Sequence, residues 1–212
     1  MAAIIDFSFI NQIKNKFGNL NNQQKNDYPD LDTTDYLTTI YKILNINYPK
    51  FYKMDNLSKT GFLLSEFIVS NHPELQNRKD VSVVAFNRIS SLETDINYQK
   101  TITDSENFFP APSLFVYTLP NIVTGEICIR NKFFGESTFY VIEKFNAEEI
   151  FNLTNDLFYK TETNYVLSSW LNCKDFKPQA TMFLVSRNNV DGKLDFSPEN
   201  ISKICQTNFL ID

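Results

Sequence analysis

The sequence predicts an α/β fold with a mixed, mostly parallel sheet flanked by helices, and three observations carry that prediction. Short continuous apolar runs such as "DVSVVAFNR" (80–88) read as strands covered on both faces. Between them lie stretches with apolar residues three and four positions apart, the spacing of amphipathic helices. Strands separated by helices of this length belong to a sheet joined by helical crossovers.

The elements follow in order. "AAIIDFSFI" (2–10) is a strand, and the Asn-rich, charged "NKFGNLNNQQKNDYPD" (15–30) has the composition of an exposed loop. In "LDTTDYLTTIYKILNI" (31–46), Tyr36, Leu37, Ile40, Tyr41 and Leu44 share one stripe, with Asp32 as N-cap. "NLSKTGFLLSEFIVSN" (56–71) places Leu57, Leu64 and Ile68 on one face, capped by Asp55 or Asn56 and ended by His72-Pro73. After the strand at 80–88, a helix over 119–134 opens with Pro120 and stops at Gly135. "STFYVI" (137–142) is a strand. In "NAEEIFNLTNDLFYK" (146–160), Asn146 and Glu149 have capping-box spacing and Ile150, Leu153 and Leu157 form a core stripe. "NYVLSSWL" (164–171) and "QATMFLVSR" (179–187) are two strands across a polar turn, and "SPENISKICQ" (197–206) is a helix with Ser197 as N-cap and Pro198 in its first turn.

Composition narrows the functions. The 212 residues, 42% hydrophobic, suffice for one domain (1–212) with a sizeable core, and a net charge of −5 argues against nonspecific nucleic-acid binding. No apolar run reaches the roughly 18 residues needed to span a bilayer, and the first residues lack a signal peptide's order, so the expected location is the cytoplasm. Cys128, Cys173 and Cys205 stand too far apart for a disulfide framework or a metal knuckle. With five glycines there is no phosphate loop, and GxSxG and HExxH are absent, so no cofactor or metal is expected. "SSLETD" (90–95) reads as a capped turn, the paired carboxylates of "AEEIFNLTND" as a solvated helix face, and the cations of "ICIRNKFF" as no nucleic-acid patch.

Three segments carry a resemblance to a family. "FYKMDNLSKTGFLLSEF" resembles the stretch of β-ketoacyl-ACP synthases in which Arg/Lys-x-Met-Asp leads into a long helix, and "VSVVAFNRISSLETD" resembles the strand and loop that follow it. "PAPSLFVYTLPNIVTGEICIRNKFFGESTFYVI" is similar to the run that leads to the family's nucleophile. The resemblance covers 51–187, with 1–50 divergent, and implies the thiolase fold, of which this chain supplies only the first βαβαβαββ half.

It also implies where a nucleophilic cysteine would stand. Counted nine residues on from Gly135, that place is Lys144, with Glu143 one residue before it. Lysine carries no acyl thioester, and its charge is wrong for the positive end of a helix. The family takes its His/Asn oxyanion donors from a second half, and this chain has a single histidine, His72, read as a surface or capping residue. Relatives without the nucleophile, the chain-length factors, pair with an active ketosynthase through the strand before that position. Here that strand consists of Ser137, Thr138, Phe139, Tyr140, Val141 and Ile142, with Phe139 and Val141 facing one way and Tyr140 and Ile142 the other.

The leading expectation is therefore a catalytically silent ketosynthase-like subunit, or chain-length factor, of a fatty-acid or polyketide system such as aryl-polyene pigment synthesis. Its partners would be a full-length ketosynthase or a second copy of itself, and an acyl carrier protein. An enzyme completed in trans, or a divergent acyltransferase using Lys144 or Glu143, is a second class. A scaffold unrelated to acyl chemistry is a third.

Overall fold

The computed structural model describes residues 2–19, 23–25, 31–106, 108–188 and 194–208, and it arranges the apolar runs and stripes in three layers. The middle layer is one sheet. Its strands are β1 (Ala3–Asn11), β2 (Lys16–Asn19), β3 (Gln23–Lys25), β4 (Val81–Asn87), β5 (Ser137–Val141), β6 (Tyr165–Lys174), β7 (Lys177–Ser186) and β8 (Leu194–Asp195). They lie in the order β3-β2-β1-β7-β6-β4-β5, with β8 also on β1. β4 runs parallel to β5 and β6, while β7 is antiparallel to both β6 and β1, so within the five-strand unit only β7 is reversed. β2, β3 and β8 extend the β1 edge with antiparallel pairings.

The helices are α1 (Thr33–Ile43), α2 (Asn56–Val69), α3 (Leu92–Lys100), α4 (Pro112–Tyr117), α5 (Ile122–Asn131), α6 (Ala147–Lys160) and α7 (Pro198–Asn208). α1, α2 and α5 close one face of the sheet around Leu37, Phe62, Leu64 and Ile127. α6 and α7 close the other around Ile150, Trp170, Phe183 and Ile201. β4 is accordingly buried along its whole length. With the additions at the β1 edge set aside, the succession is the thiolase-like βαβαβαββ that the resemblance implies.

Most caps fall where sequence places them. Asp32 Oδ1 accepts from Asp35 N at 2.8 Å, Asp55 Oδ1 from Ser58 N at 2.9 Å, and Ser197 Oγ from Asn200 N at 3.3 Å. Asn146 Oδ1 accepts from the backbone N–H groups of Glu148 and Glu149, which is the first half of the expected capping box. Four expectations need correction. The stretch 15–30 is not simply an exposed loop, because β2 and β3 form within it and Phe17 is fully buried; residues 20–22 and 26–30 lie outside the described residues. α2 is buried on nearly every side rather than on one face, with Lys59, Thr60 and Ser65 in the interior. The helix expected over 119–134 is the shorter α5, preceded by the unexpected helix α4, and α5 ends on Lys132 in the left-handed region (φ 55°), not on Gly135. Gly135 is needed for a different reason, since a Cβ there would collide with the Val81 carbonyl oxygen. Finally, "SSLETD" is the start of α3, where Ser91 Oγ donates to the Thr118 carbonyl and ties α3 to the end of α4.

The β6–β7 hairpin turns on two residues, Asp175 (φ 51°) and Phe176 (φ 61°), both left-handed. That conformation suits a two-residue hairpin but disfavours a bulky side chain. Replacing the pair by Asn-Gly is expected to stabilise the protein by about 1 kcal/mol, read from urea unfolding. Gly61→Ala should act oppositely, because its methyl would collide with the buried Val123 Cγ2 where α2 crosses α5, and is expected to cost about 1–3 kcal/mol in the same measurement.

Candidate functional site

Two features of the sheet are candidates for function: its β5 edge, and a crevice at the carboxyl ends of β4 and β6. Among the described residues β5 is the terminal strand, paired only with β4. Ile142 N donates to the Asn87 carbonyl, and alternation along a parallel ladder then turns the N–H groups of Ser137, Phe139 and Val141 outward. The side chains divide as the sequence indicates. Phe139 packs into the α2/α5 layer, while Tyr140 and Ile142 pack into the α6/α7 layer, where Tyr140 stacks on Phe86 with centroids 5.3 Å apart. Val141 is 53% exposed, Thr138 is half-buried and Ser137 is exposed.

Glu143 and Lys144 are exposed in the connection between β5 and α6, one turn ahead of the Asn146 cap. Phe145, between them and the cap, is half-buried with its edge on Trp170 at 5.6 Å. The three cysteines lie elsewhere. Cys128 is half-buried on α5, Cys205 is fully buried on α7 and Cys173 is half-buried near the end of β6. Burial pushes the thiols of Cys128 and Cys173 up to about 11 and that of Cys205 up to about 12, so at neutral pH they are protonated and weakly nucleophilic. Among the described residues no group of three or more His, Cys, Asp or Glu side chains could hold a metal ion, and no helix is long and apolar enough to cross a membrane.

The crevice, which opens to solvent, was not legible in the sequence. Asn87 and Ser90 reach it from the end of β4, Leu171, Asn172 and Cys173 from the end of β6, and Phe176 and Pro178 from the following hairpin. The start of α2 and the first turn of α3 complete the wall with Asp55, Glu93 and Thr94. Asp55 Oδ2 accepts from Thr94 Oγ1 at 2.7 Å, and Glu93 Oε1 accepts from Asn56 Nδ2 at 2.8 Å. Burial raises the pKa of both carboxyls, against the hydrogen bonds that lower it. The signal in the sequence was only that Asp55 caps a helix. Its closeness to Glu93, which is 38 positions away, is a product of the fold.

His72, expected as a surface or capping residue, stands at the N-cap position of the short helix Pro73–Leu75 without a side-chain capping bond. It is not a plain surface residue, because its Nε2 lies 3.5 Å from Oδ2 of the buried Asp6 and its Nδ1 lies 3.1 Å from Glu74 Oε1. Asn71 Nδ2 donates to the same Asp6 oxygen at 3.2 Å.

No protein-family model matches the sequence, and no curated protein matches it. Solved structures do match it in shape. The ishigamide ketosynthase/chain length factor superposes with a TM-score of 0.63 at 12% identity, over 91% of this chain and 63% of that one. The ketosynthase ApeO in complex with its chain length factor ApeC, from Xenorhabdus doucetiae, gives 0.57 at 11% identity, over 98% of this chain and 91% of the other. The AntDE:AntF assembly, a type II PKS acyl-carrier protein in complex with its ketosynthase bound to the hexaketide, gives 0.58 at 11% identity, over 88% and 62%. The chain thus has the fold of ketosynthases and chain length factors. It spans less than two thirds of the first and third of these chains.

The Asp6 pair and Glu74 raise the pKa of His72 above its ordinary value. A raised pKa stabilises the fold fully below the unfolded value of about 6.5, and this contribution is lost as pH rises through the folded pKa. The unfolding free energy of the protein, relative to that of His72→Gln, is therefore expected to fall across that window in urea titrations. Parallel pH profiles for the two proteins would contradict the pairing.

Proposed function

We propose that this chain is a non-catalytic, ketosynthase-like subunit that docks on a ketosynthase through β5, as a chain-length factor of a fatty-acid or polyketide pathway such as aryl-polyene synthesis. The observation that carries the proposal is the open edge of β5. Three outward N–H groups beside the exposed Val141 form a surface that invites strand addition. Ketosynthase/chain length factor pairs among the solved structures with this fold support a ketosynthase as the partner, and the acyl-carrier assembly supports a carrier protein as a second one.

Lys144 and Glu143 at the family's nucleophile position support a silent role. An exposed ammonium and an exposed carboxylate offer neither a thiolate nor a buried nucleophile at the amino end of α6. The bulky Phe139, Tyr140 and Ile142 would then bound a growing acyl chain at the shared surface, while each helps to fill this chain's own layers.

Co-expression with a ketosynthase from the same genome, followed by size-exclusion with light scattering, tests the docking. Val141→Pro removes one outward N–H and is tolerated on an edge strand, so it should weaken the complex at least about tenfold and leave the isolated fold intact. In a condensation assay of the mixed complex, Lys144→Ala should leave the rate unchanged. A rate that collapses with Lys144→Ala would instead identify an enzyme completed in trans. A complex indifferent to Val141→Pro would remove β5 as the interface.

A further inference from the structure

We propose that this chain forms a symmetric dimer with a second copy of itself, in which the arm made by α3 and α4 of each protomer lies on a lysine-bearing face of the other. The contact depends neither on β5 nor on a ketosynthase partner. The arm spans residues 92–119, and its two helices hold each other. The Tyr98 and Phe115 rings lie 5.4 Å apart, Ser91 Oγ donates to the Thr118 carbonyl, and Phe109 N donates to the Thr101 carbonyl at 3.0 Å, which folds the connection back. What the helices leave outside is apolar. Leu92, Ile96, Phe109, Phe115, Val116 and Leu119 are between 41% and 74% exposed. Large apolar side chains gathered on one surface in this way mark a contact site.

Charge identifies the occupant. The arm carries Glu93, Asp95, Asp104 and Glu106 against Lys100, with Arg88 at its root. An apolar surface rimmed by carboxylates repels an anionic membrane and matches an apolar surface rimmed by cations. The chain itself carries such a surface. Residues 36–54 contain Lys42, Lys50 and Lys53 and no Asp or Glu. Lys50 Nζ lies 2.8 Å from Glu126 Oε1, while Lys42 and Lys53 stand exposed. Beside them Ile43 is 47% and Tyr52 56% exposed, and the Tyr52 ring is held against Tyr41 and Phe51 at 5.4 and 5.8 Å. The two halves adjoin. Glu126, the partner of Lys50, also accepts from the Tyr117 hydroxyl at the end of α4 at 3.2 Å, and Asp55, just beyond Lys53, accepts from Thr94 of α3 at 2.7 Å. An acidic apolar half beside a basic apolar half is complementary to its own image about a two-fold axis, the symmetry by which most homodimers close.

The test is the solution mass of the full chain by light scattering at about 1 and about 100 µM, which brackets a contact of micromolar affinity. The mass should double between the two. Two variants reverse the halves separately: Lys42→Glu with Lys53→Glu on the basic face, and Asp95→Lys with Glu106→Lys on the arm. Alone, each variant sets like charge against like charge at both contacts, and dimerisation should weaken at least about tenfold. An equimolar mixture of the two restores opposite charge at both contacts and should dimerise again. All four positions are exposed, and thermal melts check that both variants fold. Val141→Pro should leave this dimer unchanged, which separates it from association through β5. The proposal is overturned by a monomer at the higher concentration, by reversed variants that dimerise like the parent, by a mixture that stays monomeric, or by a dimer that Val141→Pro dissolves. That last result would assign self-association to β5 instead.

Discussion

Everything in this molecule rests on the burial of α2. A helix buried on nearly all sides must satisfy its polar groups inside the protein and fit its neighbours closely, and α2 does both. Ser8 Oγ on β1 donates to the Leu64 carbonyl at 2.8 Å, tying the helix to the sheet. Glu66 takes two hydrogen bonds from Arg130 on α5, at 3.0 and 2.9 Å, and the guanidinium lies 5.1 Å from the Tyr48 ring centre. Gly61 allows α5 to approach so closely that no side chain fits between them. The amino end of α2 forms a wall of the crevice, and its carboxyl end delivers His72 to Asp6. Core packing and the candidate site therefore share one helix.

The two faces of the sheet are closed by helices, so exposed polar backbone is concentrated at its edges and strand ends. On one side β2, β3 and β8 cover the β1 edge. On the other, β5 has no covering strand among the described residues, and its outward N–H groups are of the kind that edge strands pair or protect. At the carboxyl ends of β4 and β6 the chain departs in different directions, toward α3 and into the hairpin, and the space between these departures is the crevice. A surface for strand addition and a crevice thus arise from one topology at different places.

Much of this was legible in the residues. Local periodicity and capping chemistry placed β1, α1, α2, β4, β5, α6, β6, β7 and α7, because apolar spacing and N-cap hydrogen bonds act within a few residues. The edge character of residues 137–142 was also read from sequence, through the resemblance. The β2/β3 hairpin was missed because Asn, Gln and Lys carry the signature of a loop while Phe17 alone supplies the apolar anchor. The later start of α5, at Ile122 rather than beside Pro120, was missed because Pro120 is as compatible with the turn after α4 as with the start of a helix.

By itself, then, the sequence determined which segments become strand or helix, since this depends on residue type at short range. Only the tertiary structure decided that Asp55, Glu93, Asn172 and Cys173 share one crevice, that His72 is partnered by Asp6, and that Gly135 serves close approach to Val81 rather than helix termination. These depend on strand order and layer packing, which bring together residues far apart in the chain and leave no periodic trace along it.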